Sequence, residues 1–302
     1  MKGGFGSVSV EMDARLVEKV KDRVGHISKV GYVKRVISKK KKPCRRNKQL
    51  VPVVPKVLQE LFVSCQQVFK GFGTVPSPEE VDRLCHIIDQ MKPEDVGLSR
   101  ELQFFKPGNL VKENLRVTYT TIYKCSNFSL CIFFLPAKGV IPLHNHPEMT
   151  VFSKLLLGKM HIKSYDWADP DPSGNISQPS KLRLANLKAN TVFTAPCDTS
   201  VLYPTRGGNI HEFTAITPCA VLDVLGPPYS KEDGRDCSYY KDHPFSAFPN
   251  GETGSDLKIE ESDSYGWLEE IEKPENSDMD GIEYLGPSII KTECVFGHQL
   301  VI

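Results

Sequence analysis

The sequence predicts a mainly β protein, an antiparallel sandwich or barrel preceded by two helices, and three observations support this. From about Leu115 the spacing of apolar residues changes from a helical period to the alternation of β-strands. Nine short segments rich in β-branched and aromatic residues follow, separated by Pro, Gly, Asn and Asp. Before them, two stretches carry apolar residues at helical spacing. Many short strands in succession are typical of an antiparallel sandwich or barrel.

The beginning of the chain is set apart by its charge. From Lys29 to Lys48 the sequence contains many cations and no acidic residue, so it repels itself and resists burial. We expect residues 1–50 to form a basic, disordered extension. A cluster within it resembles a nuclear-localisation signal, which predicts a protein of nucleus and cytoplasm. The cluster consists of Lys39, Lys40, Lys41, Lys42, Arg45 and Arg46.

A solvated tail without a signal is the alternative for this basic run. Direct binding of nucleic acid is not expected, because neither an aromatic platform nor a groove-reading motif accompanies it.

Two helices are predicted between this extension and the strands. Residues 55–69 place apolar side chains on one helical face. Residues 77–91 begin with Ser77 as N-cap and Pro78 in the first helical position, followed by two glutamates, which is a well-formed helix start. His86 lies on this second helix and is expected on its surface.

The bulk composition excludes several classes of protein. A net charge of +1 indicates no particular partner. No run approaches the roughly 18 apolar residues of a membrane span, and the N-terminus lacks the apolar core of a signal peptide. We therefore expect an intracellular protein without membrane contact. The nine cysteines form no CxxC pair, which predicts reduced core residues rather than disulfides or a zinc knuckle.

The strands belong to one predicted domain over residues 51–290, followed by a tail over 291–302. Residues 168–180 are rich in turn-forming residues and are expected to form an exposed loop. After Pro249 the composition turns acidic, but Trp267, Leu268 and Tyr284 interrupt the charge, so part of this segment is expected to pack on the barrel. No heptad or long unpaired apolar edge is evident, which favours a monomer.

The stretch IPLHNHPEMT holds the first candidate functional residues. His144 and His146 are two positions apart, so in a strand both point to the same face. Two inward imidazoles are costly to bury unless they bind something, which favours a metal site. His211, in PTRGGNIHEFTAI, begins another apolar strand and is the third candidate ligand.

These two motifs resemble the metal motifs of the cupin superfamily, which implies a double-stranded β-helix, or jelly-roll barrel, with the N-terminal helices flanking it. In that family a glutamate usually follows the second histidine by about four residues. Here Thr150 stands at that position, and Glu148 comes too early because Pro147 turns the chain. The site therefore contains three neutral histidines and no carboxylate, which suits iron, copper, zinc or nickel rather than magnesium or calcium. Thiol dioxygenases of the superfamily share this pattern.

Longer runs extend the resemblance to the plant cysteine oxidases, relatives of 2-aminoethanethiol dioxygenase, over about residues 55–290. The runs are LPAKGVIPLHNHPEMTVFSKLLLGKMHIKSYDW, VLYPTRGGNIHEFTAI and VLDVLGPPYS, in that order. The resemblance implies an enzyme that uses Fe(II) and O2 to convert the N-terminal cysteine of a target protein to sulfinic acid. It further implies hypoxia-response transcription factors as targets, the arginine N-degron pathway as the reader, and a role in oxygen sensing. It carries His144, His146 and His211 over as the Fe(II) ligands.

Four other residues have two interpretations each. Asp223, in AVLDVLGP, needs a partner; that partner is a substrate ammonium or an iron ligand if the residue is functional, and a salt bridge or loop amide if it is structural. Tyr229 either orients substrate or dioxygen, or packs. Cys237 either gates the site or is inert. Arg206 is a surface residue by default, with a substrate contact as the alternative. His161 is expected on the polar face of its strand.

Two further functions stay open from the sequence. A small-thiol dioxygenase acting on cysteamine or free cysteine would use the same iron site, and only the openness of its cavity would differ. A non-enzymatic nuclear cupin, a binding module with zinc in its cavity, would use the basic extension equally well.

Overall fold

The computed structural model describes residues 54–105, 115–168, 182–247 and 264–291. Two α-helices come first, and strands follow. The helices are α1 (Lys56–Val68) and α2 (Pro78–Asp89). The strands are β1 (Thr118–Lys124), β2 (Ser129–Leu135), β3 (Val140–His144), β4 (Thr150–Leu157), β5 (Lys159–Trp167), β6 (Leu182–Thr194), β7 (Ser200–Leu202), β8 (Ile210–Ala215), β9 (Cys219–Gly226), β10 (Tyr239–Pro244), β11 (Tyr265–Ile271) and β12 (Asp280–Ile282).

The strands form two sets of six. The first is an open sheet in the order β12-β1-β2-β9-β4-β7, antiparallel except for the pair β1 and β12. The second, in the order β10-β11-β6-β5-β8-β3, closes on itself where Tyr239 pairs with His144. This confirms the predicted mainly β fold, a cupin-type double-stranded β-helix with flanking N-terminal helices.

Strand β9 shows how the layers are arranged, because all of its residues are buried. Leu222 and Val224 belong to the apolar cluster that contains the buried faces of α1 and α2. Val221 packs instead with Ile162 of β5 and Phe213 of β8. Since side chains alternate along a strand, one face of the open sheet is covered by the helices and the other faces the closed set. Burial on both faces explains why CAVLDVLG is almost continuously apolar.

Both helices follow the sequence prediction to within two residues at their ends. Ser77 caps α2 by accepting a hydrogen bond from the backbone of Glu80, whose side chain accepts one from the backbone of Ser77. His86 is exposed, as expected. Beyond the end of α1, the Phe69 ring lies so close to Gly226 of β9 that a Cβ at Gly226 would collide with it.

Four strands, β3, β10, β11 and β12, are not among the nine segments that the sequence predicts, and β6 joins two of those segments, KLRLANLKA and TVFTAP. His243, expected in a loop or on the surface, lies in β10 and contacts Glu269 of β11. These outer strands carry charged residues on their exposed faces, so their apolar alternation is weak. Trp267 and Leu268 of β11 are buried, which confirms that part of the acidic segment packs on the barrel.

Several sequence predictions lie outside the described residues. They concern the basic extension 1–50 with its lysine and arginine cluster, nearly all of the loop 168–180, and the tail beyond residue 291. Within the described ranges, no helix is long and apolar enough to cross a membrane. The cysteines described there are all free thiols.

A buried lysine ties α2 to the open sheet. Lys154, on the helix-facing side of β4, donates hydrogen bonds to the Asp89 carboxylate at 3.0 Å and to the Cys197 carbonyl. Asp89 also accepts from the backbone N–H of Thr199 at 2.8 Å and from its hydroxyl at 2.6 Å. The Lys154 side chain is only 6% exposed, whereas that of Asp89 is 38% exposed. The charge of Lys154 therefore depends on Asp89 for most of its compensation.

We expect Asp89→Ala to lower the free energy of unfolding by about 2 to 3 kcal/mol. This is near the low end of the range for breaking a buried ion pair, because Asp89 is partly exposed. Lys154→Met in the same background should restore most of the loss, since it removes the stranded charge. Urea unfolding monitored by circular dichroism measures both effects. Asp82→Ala, an exposed site on the same helix, is the control, and an equal effect of the two Asp variants would contradict this account.

Candidate metal centre

The structure brings the three predicted histidine ligands together inside the barrel. His144 ends β3 and pairs with His211 of β8, while His146 lies two residues beyond the end of β3. One ring nitrogen of each residue lies within 4.8 Å of the others. All three side chains are buried, with His146 only 3% exposed. Such a group has the composition and spacing of a metal site.

Hydrogen bonds orient two of the rings. Nδ1 of His144 lies 2.8 Å from the Pro142 carbonyl and therefore donates to it. The Tyr229 hydroxyl donates to the Asn145 carbonyl at 2.8 Å and so accepts from Nδ1 of His146, also at 2.8 Å. In His144 and in His146 the proton is therefore on Nδ1, and Nε2 has a free lone pair. Nε2 of His146 is buried and has no hydrogen-bond partner among the described residues, as expected of a metal ligand.

Burial also fixes the charge of the three rings. Desolvation lowers the pKa of His144, and it lowers the pKa of His146 and His211 well below the usual value. Mutual repulsion adds to this effect at His146 and His211. All three imidazoles are therefore neutral at pH 7, which is the form that binds a metal. Three neutral nitrogen ligands fit a borderline divalent ion such as iron rather than magnesium or calcium.

No carboxylate from the first motif joins the rings. Glu148 is exposed, in a turn that gives it a φ of 57°. Thr150 is buried at the start of β4, but its neighbour Val151 is the residue that lines the cavity beside His211. Because side chains alternate along β4, the inward position is Val151, one residue later than the sequence analysis placed it. Val151 is apolar, so the inward position of β4 next to the histidines carries no carboxylate, as the sequence predicts.

Asp223 faces the same interior from the open sheet. It lies opposite Ser153 of β4, which lines a cavity of about 270 Å³ together with His211. Burial raises the pKa of Asp223 to about 7, and a hydrogen bond to Ser153 opposes that shift only in part. Oδ1 of Asp223 has no partner among the described residues. Asp223 is thus a buried carboxyl with a raised pKa, next to a residue that lines the cavity, and such groups are candidates for functional roles.

The other candidate residues differ in their distance from the rings. Tyr229 contacts His146 directly, and burial raises its pKa well above the usual value, so it stays protonated. The Cys237 thiol interacts with the Tyr229 hydroxyl, and burial raises its pKa to about 11, so it is a thiol rather than a thiolate. Arg206 is exposed, with its guanidinium 4.9 Å from the centre of the Tyr203 ring, which favours the surface interpretation.

Sequence reasoning missed three polar residues that hold the loops carrying the histidines: Asn145, Asp166 and Asn209. Oδ1 of Asn145 accepts from the backbone of Ser238 at 2.8 Å. Asp166 and Asn209 link the turn before His211 to the rest of the barrel. Two sequence signals could have found them: Asn145 lies inside the H-x-H motif, and Asp166 is the single acid in the strand segment SYDW.

His161 forms a hydrogen bond with Asn190 on the polar face of β5, as expected.

Comparison with known proteins places these features in a family. A sequence profile of the family PCO_ADO matches residues 87–289. Plant cysteine oxidase 2 of Arabidopsis thaliana is 51% identical, over 83% of this chain and 88% of that protein. Plant cysteine oxidase 1 of the same plant is 47% identical, over 77% and 80%. The 2-aminoethanethiol dioxygenase of Mus musculus is 31% identical, over 72% and 88%.

Replacement of Asp223 by Asn should stabilise the metal-free protein. The pKa of Asp223 is about 7 in the folded protein and near 4 in the unfolded chain. Asp223 therefore lowers the free energy of unfolding progressively as the pH rises between these values. The advantage of Asp223→Asn should therefore grow by up to about 1.4 kcal/mol per pH unit until pH 7 and then level off. Urea unfolding from pH 5 to pH 8 measures it. A difference that does not change with pH would mean that Asp223 is ionised and paired in the folded protein.

Proposed function

The chain belongs to the PCO_ADO family, and on that basis we propose that it is a non-haem Fe(II) dioxygenase that oxidises the N-terminal cysteine of target proteins. The reaction combines a thiol with dioxygen, and both oxygen atoms end on sulfur as a sulfinic acid. Sulfur loses four electrons and dioxygen gains them, so no external reductant is needed.

One observation carries the proposal: three buried, neutral histidines without a carboxylate, in a chain about half identical to two plant cysteine oxidases. A three-histidine site leaves the metal its full positive charge. The negative ligand can then come from the substrate as a thiolate.

Each residue of the site has a distinct role in this proposal. His144, His146 and His211 hold the iron, which when bound supplies a Lewis acid for the thiolate and the redox chemistry that activates dioxygen. Tyr229 keeps His146 in the required tautomer through its Nδ1. Asp223, with a pKa raised to about 7, is partly ionised at pH 7 and offers its free oxygen to the ammonium group of an N-terminal cysteine.

A small-thiol dioxygenase is the second candidate. The observation in its favour is the similarity to 2-aminoethanethiol dioxygenases, at 31% identity for the mouse protein. Cysteamine carries the same thiol and ammonium groups as an N-terminal cysteine, so Asp223 and the histidines would serve it equally well. Only the acceptance of an extended peptide separates the two proposals.

The discriminating test is oxidation of defined thiols followed by mass spectrometry. The Fe(II)-loaded protein is incubated with a peptide that begins with Cys, with the N-acetylated peptide and with cysteamine, with and without O2. We expect two oxygen atoms to be added to the free-amine peptide and not to the acetylated one, because Asp223 has no cationic partner in the acetylated peptide. His211→Ala should abolish this addition.

His161→Ala is the matched control, since His161 lies in β5 but bonds to Asn190 on the outer face; it should retain activity. Oxidation of cysteamine without the peptide would move the protein to the small-thiol class. No oxidation of any thiol despite bound iron would contradict the enzyme proposal and leave a non-enzymatic binding module.

We further propose that the targets are hypoxia-response transcription factors, whose sulfinic acid is read by the arginine N-degron pathway, and that the enzyme senses oxygen in nucleus and cytoplasm as a monomer. The support is the relationship to plant cysteine oxidases and the basic cluster from Lys39 to Arg46.

Location is tested with a fluorescent fusion of the full chain. Replacing the six cationic residues from Lys39 to Arg46 by Gln should at least halve the nuclear-to-cytoplasmic ratio, because import receptors bind such clusters through charge. Oxidation of the peptide should be unchanged in the same variant. An unaltered ratio would contradict the proposed signal and leave the run as a solvated tail.

A further inference from the structure

Asn209 makes an unusual set of contacts with the backbone of His146. Its Oδ1 accepts from the His146 backbone N–H at 3.1 Å, and its Nδ2 donates to the His146 carbonyl at 2.8 Å. The second Nδ2 hydrogen goes to the Tyr203 carbonyl, also at 2.8 Å. Asn209 is buried, with 7% exposed. One side-chain amide thus satisfies both backbone polar groups of a predicted metal ligand.

These contacts occur where the β-ladder has ended. His144 pairs with His211 as the last pair between β3 and β8, and the register is already irregular before it. His146 lies beyond the end of β3, so the pairing of β3 with β8 does not fix the distance between His146 and His211. The amide of Asn209 presents one donor and one acceptor in the manner of a backbone peptide group. It therefore replaces the strand partner that His146 lacks.

Asp166 in turn holds Asn209. Its buried carboxylate accepts hydrogen bonds from three consecutive backbone N–H groups, those of Gly207 at 2.9 Å, Gly208 at 2.9 Å and Asn209 at 3.0 Å. Gly207 and Gly208 have φ values of 83° and 80°, which side chains rarely adopt, so the turn can direct its N–H groups at one carboxylate. Asp166 lies in β5, so the turn is anchored to a strand of the closed set.

We propose that Asn209, anchored by Asp166, is a positioning residue that sets the separation of His146 from His211 and thereby the affinity and geometry of the metal centre. The inference rests on the proposed metal site. Asn209 is two residues before His211 and bonds to the backbone of His146, so the turn that Asp166 anchors links the positions of the two residues. A purely structural role would stabilise the turn without affecting the metal.

The experiment uses Co(II) as a spectroscopic probe with the metal-free full chain. Asn209→Ala removes all three side-chain hydrogen bonds, and we expect the Co(II) dissociation constant to rise about 10- to 100-fold, with a changed visible absorption spectrum of the bound ion. Chelator competition gives the constant. Circular dichroism establishes that each variant is folded under the conditions used.

Two more variants make the result decisive. Asn209→Asp keeps the volume and the acceptor but loses both donors, so it should also weaken Co(II) binding, and it is the test variant if Asn209→Ala fails to fold. Asn190→Ala removes an asparagine whose partner is His161, outside the site, and should leave Co(II) binding unchanged.

The outcomes separate this inference from the proposed metal site. Wild-type affinity and spectrum in a folded Asn209→Ala or Asn209→Asp protein would overturn the positioning role, even if the melting temperature fell. Failure of the wild-type protein itself to bind Co(II) would overturn the metal site, and the positioning role with it.

Discussion

Three buried imidazoles, with one nitrogen of each within 4.8 Å of the others, cannot all be charged, and the surrounding structure keeps them neutral. Two unit charges at this distance repel strongly in an interior of low effective dielectric. Burial and mutual repulsion lower the pKa of His146 and His211 well below the usual value. Because the rings are neutral, they need no counter-charge, and what they require is orientation by hydrogen bonds. The carbonyl of Pro142 and the hydroxyl of Tyr229 supply it by accepting from Nδ1.

The apolar layers serve a different purpose from the polar contacts. The open sheet is buried on both faces, with the helices on one side and the interior on the other. The largest apolar cluster of the described residues lies between the two helices and the helix-facing residues of β2, β4 and β9. The interior face can then hold polar groups such as Asp223 and Ser153 at little cost to that packing. The acid whose pKa is raised to about 7 lies on this interior face, and acids with a raised pKa are common at functional sites.

The sequence predicts the parts of this molecule that follow a local pattern. The α2 cap needs only Ser77 and Glu80, and the H-x-H spacing is enough to mark His144 and His146 as candidate ligands. Other features depend on pairings distant in sequence. Strand β11 carries charges on its outer face and is recognised as a strand only through its partners β6 and β10. The contact of Asn209 with His146 depends on where the β3–β8 ladder ends, which no local pattern specifies.

The contact between Phe69 and Gly226 connects the helical layer to the loop that carries Tyr229. The Phe69 ring occupies the space that a Cβ at residue 226 would need. The end of α1 can therefore lie this close to the sheet only because residue 226 is glycine. The two positions are therefore interdependent over evolutionary time. A larger residue at 226 is compatible with this packing only when a smaller one replaces Phe69, and the pair should covary among relatives that retain α1. Divergence of the helices is thus constrained by a residue three positions before the tyrosine that orients His146.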